Sequence, residues 1–304
     1  MEKILREFCL NERVPVLWRA PLSDYTSFRI GGPADAFLLP DTEKALLSVL
    51  CFLKQENIPY RVIGNGTNLL FSDEGFRGAV VSTRHVRGVG IMGKTARAAA
   101  GTPLNVLCRT LAEYSLDGFS SLYGIPGTVG GAVFMNAGAF GAVVSDYLDF
   151  VSAYDVTNGK IEMISRKELD FSYRSSVFQT RKDIIILSAE FTLPKGSQEN
   201  IREKMRQNIA KRMETQPTAL PCAGSTFLRP KDGYAAAWIE RAGLKGARVG
   251  GAAVSLKHAG FIVNLGGATA KDVLSLITMI KDEVNRRFGV LLAPEVEYIG
   301  ETKE

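Results

Sequence analysis

The alternation of apolar and polar positions divides the chain into three blocks. In the first block, a strand-like run at 34–40 is followed by a helical pattern that begins at Asp41 or Thr42, and then by a second strand-like run at 60–64. Residues 1–18, which precede these elements, have the spacing of a short amphipathic helix. Strands and helices therefore alternate, which predicts an α/β beginning.

The second block consists mostly of short strands. Its one clear helical pattern begins with Pro103 at the first helical position, which proline favours because no N–H partner is needed there. The strand-like runs of this block lie at 79–83, 96–101, 150–156, 160–166 and 184–193.

The third block combines helices with short strands. A charged helix is predicted over 198–215 and ends before Pro217, and a second helix follows the N-cap residue Thr269 with apolar residues at helical spacing. Strand-like runs at 251–255 and 260–264 lie between the two helices. The changes of pattern predict three domains, at residues 1–80, 81–198 and 199–304.

Two stretches rich in glycine, 64–78 and 124–141, interrupt these patterns. Neither matches a standard phosphate-binding fingerprint: 124–141 lacks the Lys-Ser/Thr ending of a Walker loop, and the G-x-G that begins at Gly64 is followed by a strand where a Rossmann unit requires a helix. We therefore expect a different phosphate-loop geometry, in which 124–141 forms a long loop between short strands and covers a ligand.

The composition limits the classes of partner. The 304-residue chain carries a net charge of +5, but its basic residues are dispersed and accompany no basic-aromatic motif, which favours a small anionic molecule over nucleic acid. Four widely spaced cysteines and two histidines exclude the common zinc spacings and a disulfide framework. Since the N-terminus lacks a signal-like apolar run and no stretch of about twenty apolar residues occurs, we expect a cytoplasmic protein without a membrane partner.

Seven motifs that span nearly the whole chain carry a resemblance: "TSFRIGGPAD" (26–35), "VIGNGTNLLFSDEGF" (62–76), "GIPGTVGGAVFMNAGAFG" (124–141), "FSYRSSVF" (171–178), "AGSTFLRP" (223–230), "AGLKGARVGGAAVSLKHAGFIVN" (242–264) and "LLAPEVEYIG" (291–300). In this order they resemble the UDP-N-acetylenolpyruvoylglucosamine reductase (MurB) family, flavoenzymes of bacterial cell-wall precursor synthesis. The chain is similar to the shorter of the two subtypes, because its length leaves no room for the substrate-domain insertion of the longer one.

The resemblance implies a fold and a reaction. The fold is α+β, with a vanillyl-alcohol-oxidase/PCMH-type FAD-binding domain in two lobes and a C-terminal α+β substrate-binding domain. The reaction uses non-covalent FAD and NADPH to reduce the enolpyruvyl double bond of UDP-N-acetylglucosamine enolpyruvate, with hydride added to the methylene carbon and a proton to the carbon that bears the carboxylate. We expect a monomer that binds no nucleic acid.

Three residues match the catalytic positions of the family. Arg174 would hold the substrate carboxylate through its planar guanidinium, Glu295 would bind beside that carboxylate with a raised pKa, and Ser225 would be the proton donor. Without the resemblance, Arg174 would be read as a surface arginine and Ser225 as a turn serine. Glu295 would be read as a strand-edge carboxylate, with Glu297 on the same face of the strand.

The resemblance also implies binding residues. A departure occurs after the serine, where many members have Phe-Lys-Asn-Pro and this chain has Leu228 in place of the lysine, so that Arg229 is the candidate to compensate. The substrate would be contacted by Tyr173, Arg229, Lys245, Lys257 and His258. The flavin would be held by Gly64, Asn65, Gly66, Thr67, Asn68, Leu69, Gly124, Pro126, Gly127, Thr128, Gly130, Gly131, Asn136, Ala137 and Gly138, with Asn136 as the side chain that is easiest to test.

Two other functions compete with this interpretation. Another FAD-dependent oxidoreductase of the same domain type would explain the glycine-rich stretches but not the set Arg174, Ser225 and Glu295. A non-catalytic nucleotide-sugar or FAD-binding module would be expected to lack these three residues. Cys222, three positions before Ser225, is expected to be a bystander and not a nucleophile.

Overall fold

A computed structural model describes residues 1–300 of the chain. The helices are α1 (Glu2–Asn11), α2 (Glu43–Gln55), α3 (Leu104–Glu113), α4 (Val129–Phe134), α5 (Gln198–Thr215), α6 (Ala235–Arg241) and α7 (Ala270–Phe288). The strands are β1 (Val16–Pro21), β2 (Pro33–Leu38), β3 (Tyr60–Ile63), β4 (Leu69–Phe71), β5 (Phe76–Ser82), β6 (Val89–Met92), β7 (Thr95–Ala99), β8 (Gly138–Ala139), β9 (Ala142–Val143), β10 (Leu148–Asp155), β11 (Lys160–Ser165), β12 (Ile184–Thr192), β13 (Arg248–Val249), β14 (Ala252–Val254), β15 (Ile262–Asn264) and β16 (Glu297–Ile299).

Local capping chemistry sets the helix starts that the sequence predicts. The Thr42 side chain accepts a hydrogen bond of 3.1 Å from the Ala45 N–H, so α2 begins at residue 43. Thr269 forms a capping box with Asp272 and starts α7 as predicted. The prediction for Pro103 was wrong by one residue, because its extended backbone makes it the N-cap and α3 begins at the next position.

The sheets combine parallel and antiparallel pairing. A four-stranded sheet has the order β1-β2-β5-β3, in which β3 and β5 are parallel, and a five-stranded antiparallel sheet has the order β11-β10-β12-β7-β6. Smaller elements are the β13-β14-β15 sheet, the parallel pair β4 and β16, and the hairpin of β8 and β9. Every strand-like run predicted from the sequence contains a strand, and the α+β class is confirmed.

The chain forms two compact units. The first comprises Met1–Trp18, Ala36–Asn65 and Gly78–Lys211, and the second comprises Arg19–Asp35, Gly66–Arg77 and Arg212–Glu304. The first unit has two apolar cores, one under the five-stranded sheet around Leu107 and Phe191, and one between α2 and its neighbours around Leu50. The second unit has one core, built on α7 around Ile280. The three domain ranges stay a prediction.

The stretch 124–141 is not the continuous loop that its glycines suggest. Residues 129–134 form helix α4, whose N-cap Thr128 accepts a hydrogen bond from the Gly131 N–H at 3.3 Å. The apolar side chains of Val129 and Val133 are buried in the core, and this burial gives the short segment a helical face despite its glycines. The expectation of a loop between strands without a helix was therefore wrong for these six residues.

Candidate functional site

The loop between β3 and β4 presents backbone N–H groups. Within residues 1–300, the N–H groups of Asn65, Gly66 and Thr67 donate no hydrogen bond to the protein. Gly66 has φ +63°, a left-handed conformation that residues with a side chain rarely adopt. Consecutive N–H groups in a turn that contains such a residue form a concave site for an anion such as a diphosphate. The loop thus has the local conformation predicted for a phosphate site.

In the first unit, the beginning of this loop contacts the second glycine-rich stretch. A Cβ on Gly64 would lie 2.3 Å from Thr128 Oγ1, so only glycine allows this approach. The Asn65 Nδ2 group donates a hydrogen bond of 2.9 Å to the Pro126 carbonyl. The structure therefore brings together Gly64, Asn65 and the segment that starts α4, which the sequence had named separately.

Asn136 follows α4 in the second glycine-rich stretch and is buried, with 5% of its surface exposed. Its Nδ2 group donates a hydrogen bond of 2.9 Å to the Ser172 carbonyl, and its Oδ1 accepts one of 3.2 Å from the Ser145 N–H. The amide thus links residues 134–138 to the loop that carries Tyr173 and Arg174. A flavin contact from this side chain stays a prediction, whereas its contacts within the protein are those of a positioning group.

Arg174 lies half-buried on the loop between β11 and β12. Its Nη2 group donates a hydrogen bond of 3.2 Å to the Gly138 carbonyl, and its guanidinium lies 5.7 Å from the ring centre of the exposed Tyr173. Its backbone is left-handed, with φ +55°. The Gln179 amide donates to the Arg174 carbonyl at 2.8 Å, a contact that sequence reasoning missed because no motif marks it.

In the second unit, Ser225 and Glu295 lie on two segments that pair with each other. The Glu295 N–H donates a hydrogen bond of 2.8 Å to the Thr226 carbonyl, and Phe227 forms a β-bridge with Pro294. Both Ser225 and Glu295 are half-buried. The Ser225 hydroxyl makes one long contact, of 3.4 Å, with the Phe227 carbonyl. The Ser225 hydroxyl is therefore only weakly held by the protein, which suits a group that donates a proton.

Asn68 anchors the segment of Glu295. Its Nδ2 group donates to the Glu295 carbonyl at 3.0 Å, and its carbonyl accepts a bond of 2.9 Å from the Glu297 N–H. Strand β16 begins at Glu297, so the alternative in which Glu295 and Glu297 share a face of one strand was wrong. The reason is that the Glu295 N–H bonds to Thr226 in the serine segment, and the chain bends at residue 296 before β16 begins.

The predicted substrate-contacting cations of the second unit have protein partners. Lys245 Nζ lies 2.6 Å from Glu240 Oε1, and Lys257 Nζ donates to the Met213 carbonyl at the end of α5. The exposed Arg229 places its guanidinium 4.5 Å from the ring centre of Tyr234. Their contacts with a substrate diphosphate stay predictions.

His258 and Cys222 are both half-buried, and His258 lies close enough to Lys245 and Glu240 to feel their charges. Burial lowers the pKa of His258, and the charge of Lys245 lowers it further, against opposing contributions from a backbone hydrogen bond and Glu240. His258 Nδ1 accepts a hydrogen bond from the Gly260 N–H at 3.1 Å. Burial raises the pKa of the free Cys222 thiol, which keeps it protonated and argues against a nucleophilic role.

Comparisons with known proteins relate these features to a family. The family model described as UDP-N-acetylenolpyruvoylglucosamine reductase, C-terminal domain, matches residues 216–299, and the model of an FAD binding domain matches residues 34–165. UDP-N-acetylenolpyruvoylglucosamine reductase of Caldanaerobacter subterraneus subsp. tengcongensis is 45% identical over 99% of this chain and 97% of its own length. The chain belongs to the UDP-N-acetylenolpyruvoylglucosamine reductase family.

Further relatives agree with this membership. The reductase of Clostridium novyi is 43% identical over 93% of this chain and 92% of its own. The crystal structure of UDP-N-acetylenolpyruvylglucosamine reductase (MurB) from Thermus caldophilus is 34% identical, with a TM-score of 0.78 over 95% of this chain and 99% of that one. Physcomitrella patens BBE-like 1, 14% identical with a TM-score of 0.50, shares the fold alone. The predicted family, its shorter subtype and the two-part fold are confirmed.

Residues 34–165 form the FAD-binding domain of this family member. In the part of the chain that the structure describes, three N–H groups of the loop between β3 and β4 have no protein acceptor, which fits the negatively charged diphosphate of FAD, and Pro126 and Thr128 contact the start of the loop. The match to an FAD binding domain confirms the predicted cofactor, FAD. Among residues 1–300, no helix is long and apolar enough to cross a membrane.

Proposed function

We propose that this chain reduces the enolpyruvyl double bond of UDP-N-acetylglucosamine enolpyruvate to give UDP-N-acetylmuramate, with NADPH as the hydride donor and FAD as the cofactor. The observation that carries the proposal is family membership at 45% identity over 99% of the chain, together with the presence of Arg174, Ser225 and Glu295. The competing binding module is disfavoured because all three residues are present.

When bound, FAD would supply the hydride chemistry between NADPH and the methylene carbon of the substrate, and the glycine-rich stretches at 64–69 and 124–138 would hold it. Addition of hydride there leaves negative charge on the carbon next to the substrate carboxylate and on the carboxylate itself. Arg174 stabilises this charge, since a guanidinium stays protonated and can bind a carboxylate with two parallel hydrogen bonds.

Ser225 donates the proton that completes the reduction. Its hydroxyl adds a proton to the carbon bearing the carboxylate, and the serine is reprotonated from water. The carbanion-like carbon is a strong base, so a hydroxyl can serve as the acid. Glu295 binds beside the substrate carboxylate as a neutral acid and donates a hydrogen bond to it. The hydrogen bonds that Asn68 and Thr226 make to the backbone of Glu295 support this placement.

The same proposal covers the location and the oligomeric state of the enzyme. We place the enzyme in the cytoplasm as a monomer that acts on small molecules, and four free cysteines are compatible with a reducing compartment. We also propose that the enzyme prefers NADPH over NADH as the hydride donor.

A spectrum and a kinetic assay test the proposal. Purified protein should show the flavin absorbance bands near roughly 370 and 450 nm, which FAD-dependent chemistry requires. NADPH oxidation should then depend on UDP-N-acetylglucosamine enolpyruvate. Flavin-loaded protein that turns over an alcohol or a hydroxy acid, but not this acceptor, would favour the alternative of another FAD-dependent oxidoreductase.

A further inference from the structure

Arg174 has a backbone conformation that must be held in place. Its φ of +55° lies in the left-handed region, which is unfavourable for a residue with a side chain. The side chain of Arg174 also depends on this backbone for its direction. A loop residue with such a conformation persists only where neighbouring groups fix it.

Gln179 is the group that fixes the carbonyl of Arg174. Its Nε2 group donates a hydrogen bond of 2.8 Å to the Arg174 carbonyl and a second of 3.3 Å to the carbonyl of Phe134, the last residue of α4. The Ser176 hydroxyl donates to the same Phe134 carbonyl at 2.6 Å. The end of α4 is thus tied to the loop that carries Arg174.

We propose that Gln179 is a positioning residue for Arg174, which it holds at a fixed distance from residues 134–138 at the end of α4. The inference rests on the proposed function, because it takes Arg174 as the group that binds the substrate carboxylate. Gln179 does not touch the substrate in this role. It acts through two backbone carbonyls and therefore affects the step in which Arg174 takes part.

The chemistry of the contact predicts which replacements work. The two closest acceptors of the Gln179 Nε2 group are carbonyl oxygens, and the Met135 sulfur lies farther away at 3.6 Å. The position therefore requires a donor with two N–H bonds. Gln179→Glu keeps the size but places carboxylate oxygens against these carbonyls. Gln179→Ala removes the contact, whereas Gln179→Lys keeps a donor of sufficient length and is expected to retain the function.

The test separates the two half-reactions of the FAD-loaded enzyme. For Gln179→Glu and Gln179→Ala, we expect reoxidation of the reduced flavin by UDP-N-acetylglucosamine enolpyruvate to be slower by about tenfold, which corresponds to the loss of a typical hydrogen bond. Flavin reduction by NADPH and the flavin spectrum should be unchanged. Thr180→Val is the matched control, since it removes an exposed neighbouring hydroxyl that, within residues 1–300, bonds only to the Val177 carbonyl.

A second readout does not depend on turnover. Phenylglyoxal modification of Arg174, followed by mass spectrometry of the tryptic peptide, should be severalfold faster in Gln179→Glu than in wild type or Thr180→Val. Wild-type reoxidation and labelling rates in both Gln179→Glu and Gln179→Ala would overturn the inference. So would loss of flavin in Gln179→Ala, which would indicate a general structural role. If wild type did not turn over the substrate but Arg174 were still labelled faster in Gln179→Glu than in wild type, the proposed function would be contradicted. The positioning role of Gln179 would then remain supported.

Discussion

Gly64 and Thr128 approach so closely that a Cβ on Gly64 would lie 2.3 Å from the Thr128 hydroxyl oxygen. Real Cβ atoms are not found at such a distance from another heavy atom, so glycine is required at residue 64 by its neighbour. The same hydroxyl caps α4 through the Gly131 N–H. One contact therefore joins the end of β3 to the start of the helix in the second glycine-rich stretch.

This contact predicts that Gly64→Ala lowers both stability and FAD content. The added methyl group displaces the cap of α4, and overpacking of this kind typically costs about 1–3 kcal/mol. Urea unfolding of the apoprotein and the ratio of flavin to protein absorbance measure the two effects. Gly88→Ala serves as the control, because no atom lies within 4 Å of the position where its Cβ would be.

Thr128→Ala tests whether the clash with the Thr128 hydroxyl causes the effect of Gly64→Ala. Thr128→Ala alone should cost about 1 kcal/mol through loss of the cap. In the double variant the clash with Oγ1 is absent, so Gly64→Ala should cost less than it does in wild type. Strictly additive effects would show that Gly64 acts through something other than the Thr128 hydroxyl.

Ser225→Ala should impair only the half-reaction that uses the substrate. General acid catalysis contributes about 100- to 10,000-fold, so reoxidation of the reduced flavin by substrate should slow by at least about 100-fold. Stopped-flow measurement of flavin reduction by NADPH should give a nearly normal rate. Cys222→Ala, three residues away, should leave both rates unchanged. Equal losses in both half-reactions of the serine variant would argue against a proton-donor role.

Arg174→Lys should raise KM for the substrate and lower kcat, although the positive charge is kept. A lysine offers one compact ammonium group and cannot form the two parallel hydrogen bonds of a guanidinium with a carboxylate. It also cannot reproduce the contact with the Gly138 carbonyl in the same geometry. We expect kcat/KM to fall by about 100-fold, as for loss of a charged hydrogen bond. Steady-state assays with varied substrate measure it, and an unaltered kcat/KM would exclude a bidentate role.

Local chemistry explains which parts of the fold were predictable. Thr42 and Thr269 cap helices through residues three positions away, so the sequence alone contains both partners of each contact. Helix α4 was missed because its glycines disfavour a helix when taken alone, and its burial against the core overrides that preference.

Long-range contacts explain what the sequence could not predict about the site. Gln179 and Phe134 are separated by 45 residues, and Asn68 and Glu295 by 227. Neither contact follows from spacing or propensity, since each depends on how distant segments are brought together. The motifs therefore predicted candidate residues, but not the groups that hold them in place.

The lowered pKa of His258 predicts that the stability of the protein depends on pH. Because burial lowers its pKa in the folded state, the unfolded chain binds more protons below its ordinary pKa of about 6.5. The contribution of His258 to the free energy of unfolding is therefore fully present above pH 6.5. It is lost as the pH falls through the lower pKa that His258 has in the folded state. His258→Asn keeps an acceptor for the Gly260 N–H but does not titrate.

As the pH falls from 7.5 to 5, the free energy of unfolding of wild type should therefore decrease relative to that of His258→Asn. Urea unfolding at several pH values measures this change. His85→Gln, at an exposed position, controls for the loss of a histidine. Lys245 and Glu240 act on His258 with opposite signs, so Lys245→Met should reduce the shift and Glu240→Gln should enlarge it. A difference between wild type and His258→Asn that stays constant with pH would show that His258 titrates alike in the folded and unfolded chain.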